Sequence, residues 1–291
     1  MKKRIRIILL TFVVAVSAFA LMAGGCGLSG TEVSKDVFEK AAENASKAFK
    51  DGPVTFEFSS ATKNVTENEY IYEQKDSTAN YSKSFSKVTD TMQGKAIYIF
   101  EGDKAYLKIE STQEKIQANG SSFNLKEFSE QYIEKIGKDL YTIQKDTSGK
   151  WSKTNHDIVS EDYRISDTVG LLSIASIMGF ENFADYEYKS GRYYVKNDVI
   201  MDSLKKTESK NNDNYKYTFE YGNCFFYCTF NGDGLISGYE QASDMKKTET
   251  YTYTGGFYSS TTNSTKKTTD ISNLQIKITY SGRVNIPAYT K

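Results

Sequence analysis

Few residues in this 291-residue chain have the types and spacing that catalysis needs. There are three cysteines, Cys26, Cys224 and Cys228, and a single histidine, His156. With one imidazole, a Ser–His–Asp or Cys–His relay could run only through His156. Its setting, Lys153-Thr154-Asn155-His156-Asp157, is polar and loop-like, which describes a surface histidine. Glu161-Asp162 is a carboxylate pair of the kind common in solvated loops and points to no acid–base site. The chain has no Gly-x-Ser-x-Gly elbow, no phosphate-binding glycine loop and no His-rich metal motif. The sequence therefore predicts no catalytic residue, no metal site and no cofactor. An Asp/Glu site assembled only by the fold stays open, but a binding module is the better reading.

Cys224 and Cys228 lie four residues apart in Asn223-Cys224-Phe225-Phe226-Tyr227-Cys228-Thr229-Phe230. Four strand residues span about 13 Å, whereas bridged Cα atoms lie roughly 4.4–6.8 Å apart. A disulfide is therefore disfavoured, and both side chains should share one face of a strand. Zinc would need a second Cys/His pair. Both thiols are expected to be small buried hydrophobes.

Cys26 sits in a different setting. Lys2, Lys3, Arg4 and Arg6 precede an uncharged stretch from Ile7 to Gly25 that ends in small residues. A basic head, an apolar middle and a small-residue end predict a secretory signal peptide over residues 1–25. The apolar run approaches the roughly 20 residues that span a bilayer. No charged stop-transfer cluster follows it, however, and its glycines weaken a helix, so removal is favoured.

The segment Leu21-Met22-Ala23-Gly24-Gly25-Cys26 resembles the lipobox of bacterial lipoproteins. The resemblance implies a diacylglyceryl group on the Cys26 thiol, cleavage between Gly25 and Cys26, and a lipid anchor on the extracytoplasmic face of the cell membrane. Two or three acyl chains on one cysteine hold a protein stably, where one would not. Ala23 stands where lipoboxes usually carry Leu. A cut after Ala20, in Ala18-Phe19-Ala20, would instead release a soluble protein and leave Gly24-Gly25-Cys26 unexplained. On the lipobox reading, residues 26–30 are a lipidated tether and residues 31–291 form a single β-rich domain.

The composition excludes one large class of partners. Acidic and basic residues are balanced at 37 each, and loss of the four basic residues of the signal leaves an excess of four negative charges. No basic footprint for nucleic acid is present. The 22 Tyr and 17 Phe beside one Trp and two Pro favour strands. Together with abundant Lys and little Arg, they also suit an A/T-rich bacterial genome.

Around these residues, the apolar pattern defines the elements. Val37, Phe38, Ala41, Ala45, Ala48 and Phe49 form one helical stripe, so a helix is expected over 34–50, capped by Ser34 and stopped by Asp51-Gly52-Pro53. From Val54 the period becomes two, through Val54, Phe56 and Phe58 and then Tyr70 and Tyr72. Phe100 to Lys104 reads as a hairpin turn. Residues 125–141 fit a helix by spacing, yet Gly137-Lys138-Asp139 reads as a turn, and strands are preferred, with another strand at Trp151. A second helix, over 167–179, is apolar nearly all round and at about 13 residues is too short to span a membrane. A short helix is expected near 199–206, with strands at 215–221, 224–230, 235–243, 249–253 and 274–280. The expected turns are Gly222-Asn223 and Asn231-Gly232-Asp233-Gly234. The Thr/Ser/Gly-rich stretch 255–270 is expected to be a flexible loop.

The segments Tyr186 to Val195, Tyr215 to Tyr221, Gly234 to Glu240 and Ile278 to Pro287 place short aromatic strands as in the lipoprotein-carrier superfamily of LolA, LolB and LppX-type proteins, which the chain resembles in topology. The resemblance implies an α+β fold: a curved antiparallel sheet, an incomplete barrel, with an N-terminal and a mid-chain helix packed on its concave face. It also implies an apolar or amphiphilic ligand, such as a lipid, bound beneath the mid-chain helix. The alternative is an envelope protein–protein interaction or structural module, with Tyr and Thr of 248–254 as its contact face.

Overall fold

A computed structural model describes residues 31–32, 40, 43–44, 52–74, 81–146, 148–160, 163, 165, 186–190, 192–200, 214–255 and 260–289. The first half of the chain forms β1 (Thr31–Glu32), β2 (Val54–Gln74), β3 (Tyr81–Glu101), β4 (Lys104–Ile116), β5 (Ser122–Ile136), β6 (Asp139–Lys145) and β7 (Trp151–Ile158). The second half forms β8 (Tyr186–Lys189), β9 (Arg192–Val195), β10 (Tyr215–Tyr221), β11 (Phe225–Phe230), β12 (Ile236–Gly255) and β13 (Ser260–Thr279). All lie in one sheet, ordered β1-β8-β9-β11-β12-β13-β2-β3-β4-β5-β6-β7, with β10 beside β12. The pairing of β13 with β2, from Thr279–Thr55 to Ser260–Gln74, joins the two halves of the chain.

This overturns the α+β expectation. The described chain is nearly all antiparallel strand, a single open sheet without any helix of seven residues or more packed on it. The helices expected over 34–50 and 167–179 lie outside the described residues, apart from helical positions at Lys40, Glu43 and Asn44. Of the helix expected near 199–206, only 199 and 200 are described, in a helical run from 197. Instead of an incomplete barrel, the sheet ends in β1 on one side and β7 on the other.

The core occupies only one end of the long strands. Alternation buries Val54, Phe56 and Phe58 of β2 against Ala96, Tyr98 and Phe100 of β3 and Leu274, Ile276 and Ile278 of β13. Phe56 stacks on Phe58 at 6.0 Å and on Phe100 at 6.2 Å between ring centroids, within the range where aromatic pairs add to simple burial. Cys224 and Cys228 are buried and form no disulfide, as their spacing predicts. Burial alone pushes the Cys228 thiol up to about 12.

Beyond this core no residue is buried over 59–73 of β2, 82–93 of β3 or 244–253 of β12. The same strands nevertheless continue in unbroken register with β13. The result is a five-stranded arm, β10-β12-β13-β2-β3, extending about 45 Å past the core at about 3.3 Å per residue. The loop expected over 255–270 is therefore the outer half of β13. Its Ser and Thr residues are saturated by backbone pairing on both sides, which satisfies their amides without any apolar burial.

Three turns match the sequence and one does not. Gly102 and Gly137 adopt left-handed conformations between β3 and β4 and between β5 and β6. At 231–235, the Asn231 side-chain oxygen accepts from the amides of Asp233 and Leu235 at 3.0 and 2.9 Å, an Asx-type turn. Gly222-Asn223, by contrast, makes no hairpin, because β10 and β11 both pair with β12 along one line, Tyr221 opposite Met245 and Phe225 opposite Ala242. There Gly222 lies so close to Asp244 that a Cβ would come within 2.4 Å of the carboxylate. The glycine marks a break within one interrupted strand.

The C-terminal tail straps the face opposite the core. Thr55 donates to the Ser281 carbonyl at 2.6 Å and the Val284 amide donates to Glu101 at 2.9 Å. Farther along, Lys153 reaches the Tyr289 hydroxyl at 3.0 Å and Glu134 at 2.8 Å.

Candidate functional site

The residues singled out in the sequence do not assemble into a site. Gly25 and Cys26 lie outside the described residues, as do Glu161 and Asp162. Cys224 and Cys228 are buried within the sheet. His156 falls inside β7, not in a loop, at the register shift where Asp157 faces Leu140 and Asn155 faces Tyr141 of β6. Among the described residues no group of three or more His, Cys, Asp and Glu side chains could hold a metal ion. None of their helices is long and apolar enough to cross a membrane, which says nothing about strands.

Strand register builds a recess instead. Along each strand the residues between the core positions point to the opposite face. Tyr227, Glu240, Gln275, Ser59, Lys95 and Glu110 are successive register partners across β11, β12, β13, β2, β3 and β4. A second row beside it runs Thr229, Gly238, Lys277, Glu57, Ile97 and Lys108. Together with Arg192 of β9 they line a trough of about 700 Å³. A recess of about 470 Å³ sharing Ser59, Lys95 and Glu110 adjoins it.

Charged side chains of alternating sign line the trough, between apolar stretches at Ile97, Ile276 and Phe58. Lys277 meets Glu57 at 3.2 Å and Lys108 meets Glu110 at 2.6 Å. The hydrogen bond from Lys108 holds the Glu110 carboxyl below its ordinary range. At one end Tyr227 donates to Glu240, and the Arg192 guanidinium lies 4.4 Å from the Tyr227 ring centroid. Burial, reinforced by the Glu240 hydrogen bond and charge, pushes the Tyr227 phenol up to about 12. On the floor Thr229 and Ser237 share a hydrogen bond at 3.1 Å. At the other end Phe128, the register partner of Glu110, is 61% exposed.

The arm carries a second feature, on the same face as the core. Tyr251, Ser264 and Tyr70 are successive partners, as are Tyr253, Thr262 and Tyr72. Tyr70, Tyr251 and Tyr253 are 42%, 41% and 50% exposed. At the edge, Tyr215 donates to Glu249 at 2.6 Å and Lys247 lies 4.6 Å from the Tyr217 ring centroid. The arm's other face carries the cross-strand ion pairs Glu67–Lys87 at 2.8 Å and Glu69–Lys83 at 2.5 Å. Exposed pairs of this kind add little stability, so the arm is held mainly by its backbone ladder.

Sequence reading missed the trough because its residues are spread over β9, β11, β12, β13, β2, β3 and β4. Glu57 and Ser59 alone were visible, as outward residues alternating with Phe56 and Phe58. The others acquire meaning only once register is known.

No family model matches the chain, and no curated protein matches it. Among solved structures it is similar to the Salmonella SPI-1 type III secretion injectisome secretin InvG in the open gate state. That likeness is 8% identical, covers 88% of this chain and 68% of that one, and has a TM-score of 0.26. A lipovitellin structure is similar over 79% of this chain and 26% of that one, with 8% identity and a TM-score of 0.23. A Pseudomonas aeruginosa FadL homologue is similar over 88% and 99%, with 8% identity and a TM-score of 0.14. At such TM-scores none defines a shared fold, and no function passes from them.

Proposed function

We propose that the chain is a lipid-anchored, extracytoplasmic and non-enzymatic protein of the cell envelope that contacts a protein partner through the aromatic face of its β-arm. The anchor rests on the lipobox-like segment ending in Cys26. The observation that carries the contact surface is the row of exposed tyrosines, Tyr70, Tyr251 and Tyr253, where the sheet has no core beneath it. Tyrosine is enriched at interfaces because its ring gives contact area at a small entropic cost while its hydroxyl stays satisfied in water. The lipid-ligand alternative depends on an apolar cavity under residues 167–179, which lie outside the described residues, whereas the trough described here is charged.

The test has two arms. Cells fed radiolabelled palmitate should label the parent and not the Cys26→Ala variant; an unlabelled parent, or a variant labelled equally, would overturn the anchor. A photo-crosslinking amino acid in place of Tyr251 in producing cells should give a discrete protein adduct that disappears when Tyr70 and Tyr253 are both changed to Ser. No adduct, or one indifferent to those changes, would overturn the contact surface.

A further inference from the structure

We propose that the trough between Arg192 and Phe128 is a binding site for an uncharged glycan chain, separate from the arm. Its lining brings four cations, Arg192, Lys95, Lys108 and Lys277, together with three carboxylates, Glu57, Glu110 and Glu240. A polyanion would lie against the carboxylates and a polycation against the lysines. An apolar chain would strip water from all seven charges, and burying charge without compensation is costly.

A sugar hydroxyl both donates and accepts. It can therefore bridge the donor–acceptor neighbours that the trough repeats, Lys277 beside Glu57 and Lys108 beside Glu110. Thr229, Ser237, Ser59 and Gln275 continue the same hydrogen-bonding character across the floor. An extended peptide is the poorer fit, because it seeks the free backbone groups of a strand edge, and the trough is a sheet face whose backbone groups are used in pairing.

The geometry also repeats. The trough crosses its strands, which lie roughly 4.8 Å apart, close to the length of one pyranose unit in an extended chain. Aromatic rings stand at the two ends of one register row, Tyr227 and Phe128. The exposed Phe128 ring can take the apolar C–H face of a terminal sugar, with the Lys108 ammonium 5.7 Å from its centroid.

The test uses the full-length protein in a polyoxyethylene detergent, which carries no sugar. Cellohexaose, maltohexaose and hexa-N-acetylchitohexaose are titrated by calorimetry, with polygalacturonate and chitosan as charged comparators. At least one neutral chain should bind more tightly than either charged polymer. Its affinity should fall at least about tenfold, the scale of one lost hydrogen bond to a charged group, in the Glu57→Ala/Lys277→Ala double variant and in Phe128→Ala. These side chains are largely exposed, so unchanged melting temperatures will show that the fold persists. Tyr70→Ser/Tyr251→Ser/Tyr253→Ser on the arm should leave the affinity unchanged. Absence of binding to all three neutral chains, tighter binding of a charged polymer, or indifference to the trough variants would overturn the proposal.

Discussion

The Tyr227 hydroxyl donates to the Glu240 carboxylate, its direct register partner across β11 and β12. Burial and this bond raise the phenol from its ordinary value of 10.0 to about 12. A proton held more tightly in the folded than in the unfolded chain adds stability that is complete below about pH 10 and is lost as pH rises towards about 12. Stability measured by urea denaturation should therefore fall through that window, and Tyr227→Phe should flatten the fall. In Glu240→Gln the phenol should titrate lower than in the parent but still above 10, because burial persists. Subtracting the ultraviolet titration of Tyr227→Phe from that of the parent isolates this phenol among the 22 Tyr, and a Glu240→Gln curve identical to the parent's would refute the role of the bond.

Gly282 holds the C-terminal tail against the sheet at a point where no side chain fits. Its φ is 149°, and a Cβ would lie 2.6 Å from the Thr55 hydroxyl and 2.8 Å from an Ile99 methyl. Gly282→Ala should cost about 1–3 kcal/mol, the usual range for overpacking. The Val284 amide, bonded to Glu101, should then exchange with solvent faster. Unchanged urea midpoint and unchanged exchange would show that the tail is not fixed there.

The thiols report on burial and anchoring together. Cys224 and Cys228 are buried, and a thiol pushed up to about 12, as Cys228 is, stays protonated at neutral pH. The native protein should show no thiol reactive towards dithionitrobenzoate. In denaturant the mature membrane-bound form should show two thiols, because the proposed diacylglyceryl thioether leaves no thiol at Cys26. A third would mean that Cys26 is free, and a native reaction would mean that the sheet opens at β11.

Strand positions with a buried partner were legible in the sequence, and those without one were not. Val54, Phe56 and Phe58 announce β2 because every second residue enters the core. Residues 61–69, Ala61-Thr62-Lys63-Asn64-Val65-Thr66-Glu67-Asn68-Glu69, carry no such alternation, since both faces of the arm meet water. The same holds for 260–270, whose composition is that of a loop although its backbone is paired on both sides. Gly222-Asn223 misled for the opposite reason. Turn-forming residues stood between two aromatic runs, and only register shows that both runs lie along one partner strand. The trough was least legible, because the Tyr227–Glu240 pair and Glu110 fall in one row only through the intervening strands β13, β2 and β3.

The arm and the core should respond oppositely to truncation of an aromatic ring. Phe56 is 1% exposed and stacked between two rings, so Phe56→Ala should cost about 3–5 kcal/mol through lost burial and an unfilled cavity. Tyr253 sits on a strand of the same sheet but is half exposed, with no buried residue over 244–253 of that strand. Tyr253→Ala should change stability by no more than about 0.5 kcal/mol while removing ring area from the proposed contact face. Chemical denaturation of the two variants side by side separates the cases. If Tyr253→Ala costs as much as Phe56→Ala, the arm tyrosines are structural, and the surface assigned to a protein partner is instead part of what holds the fold together.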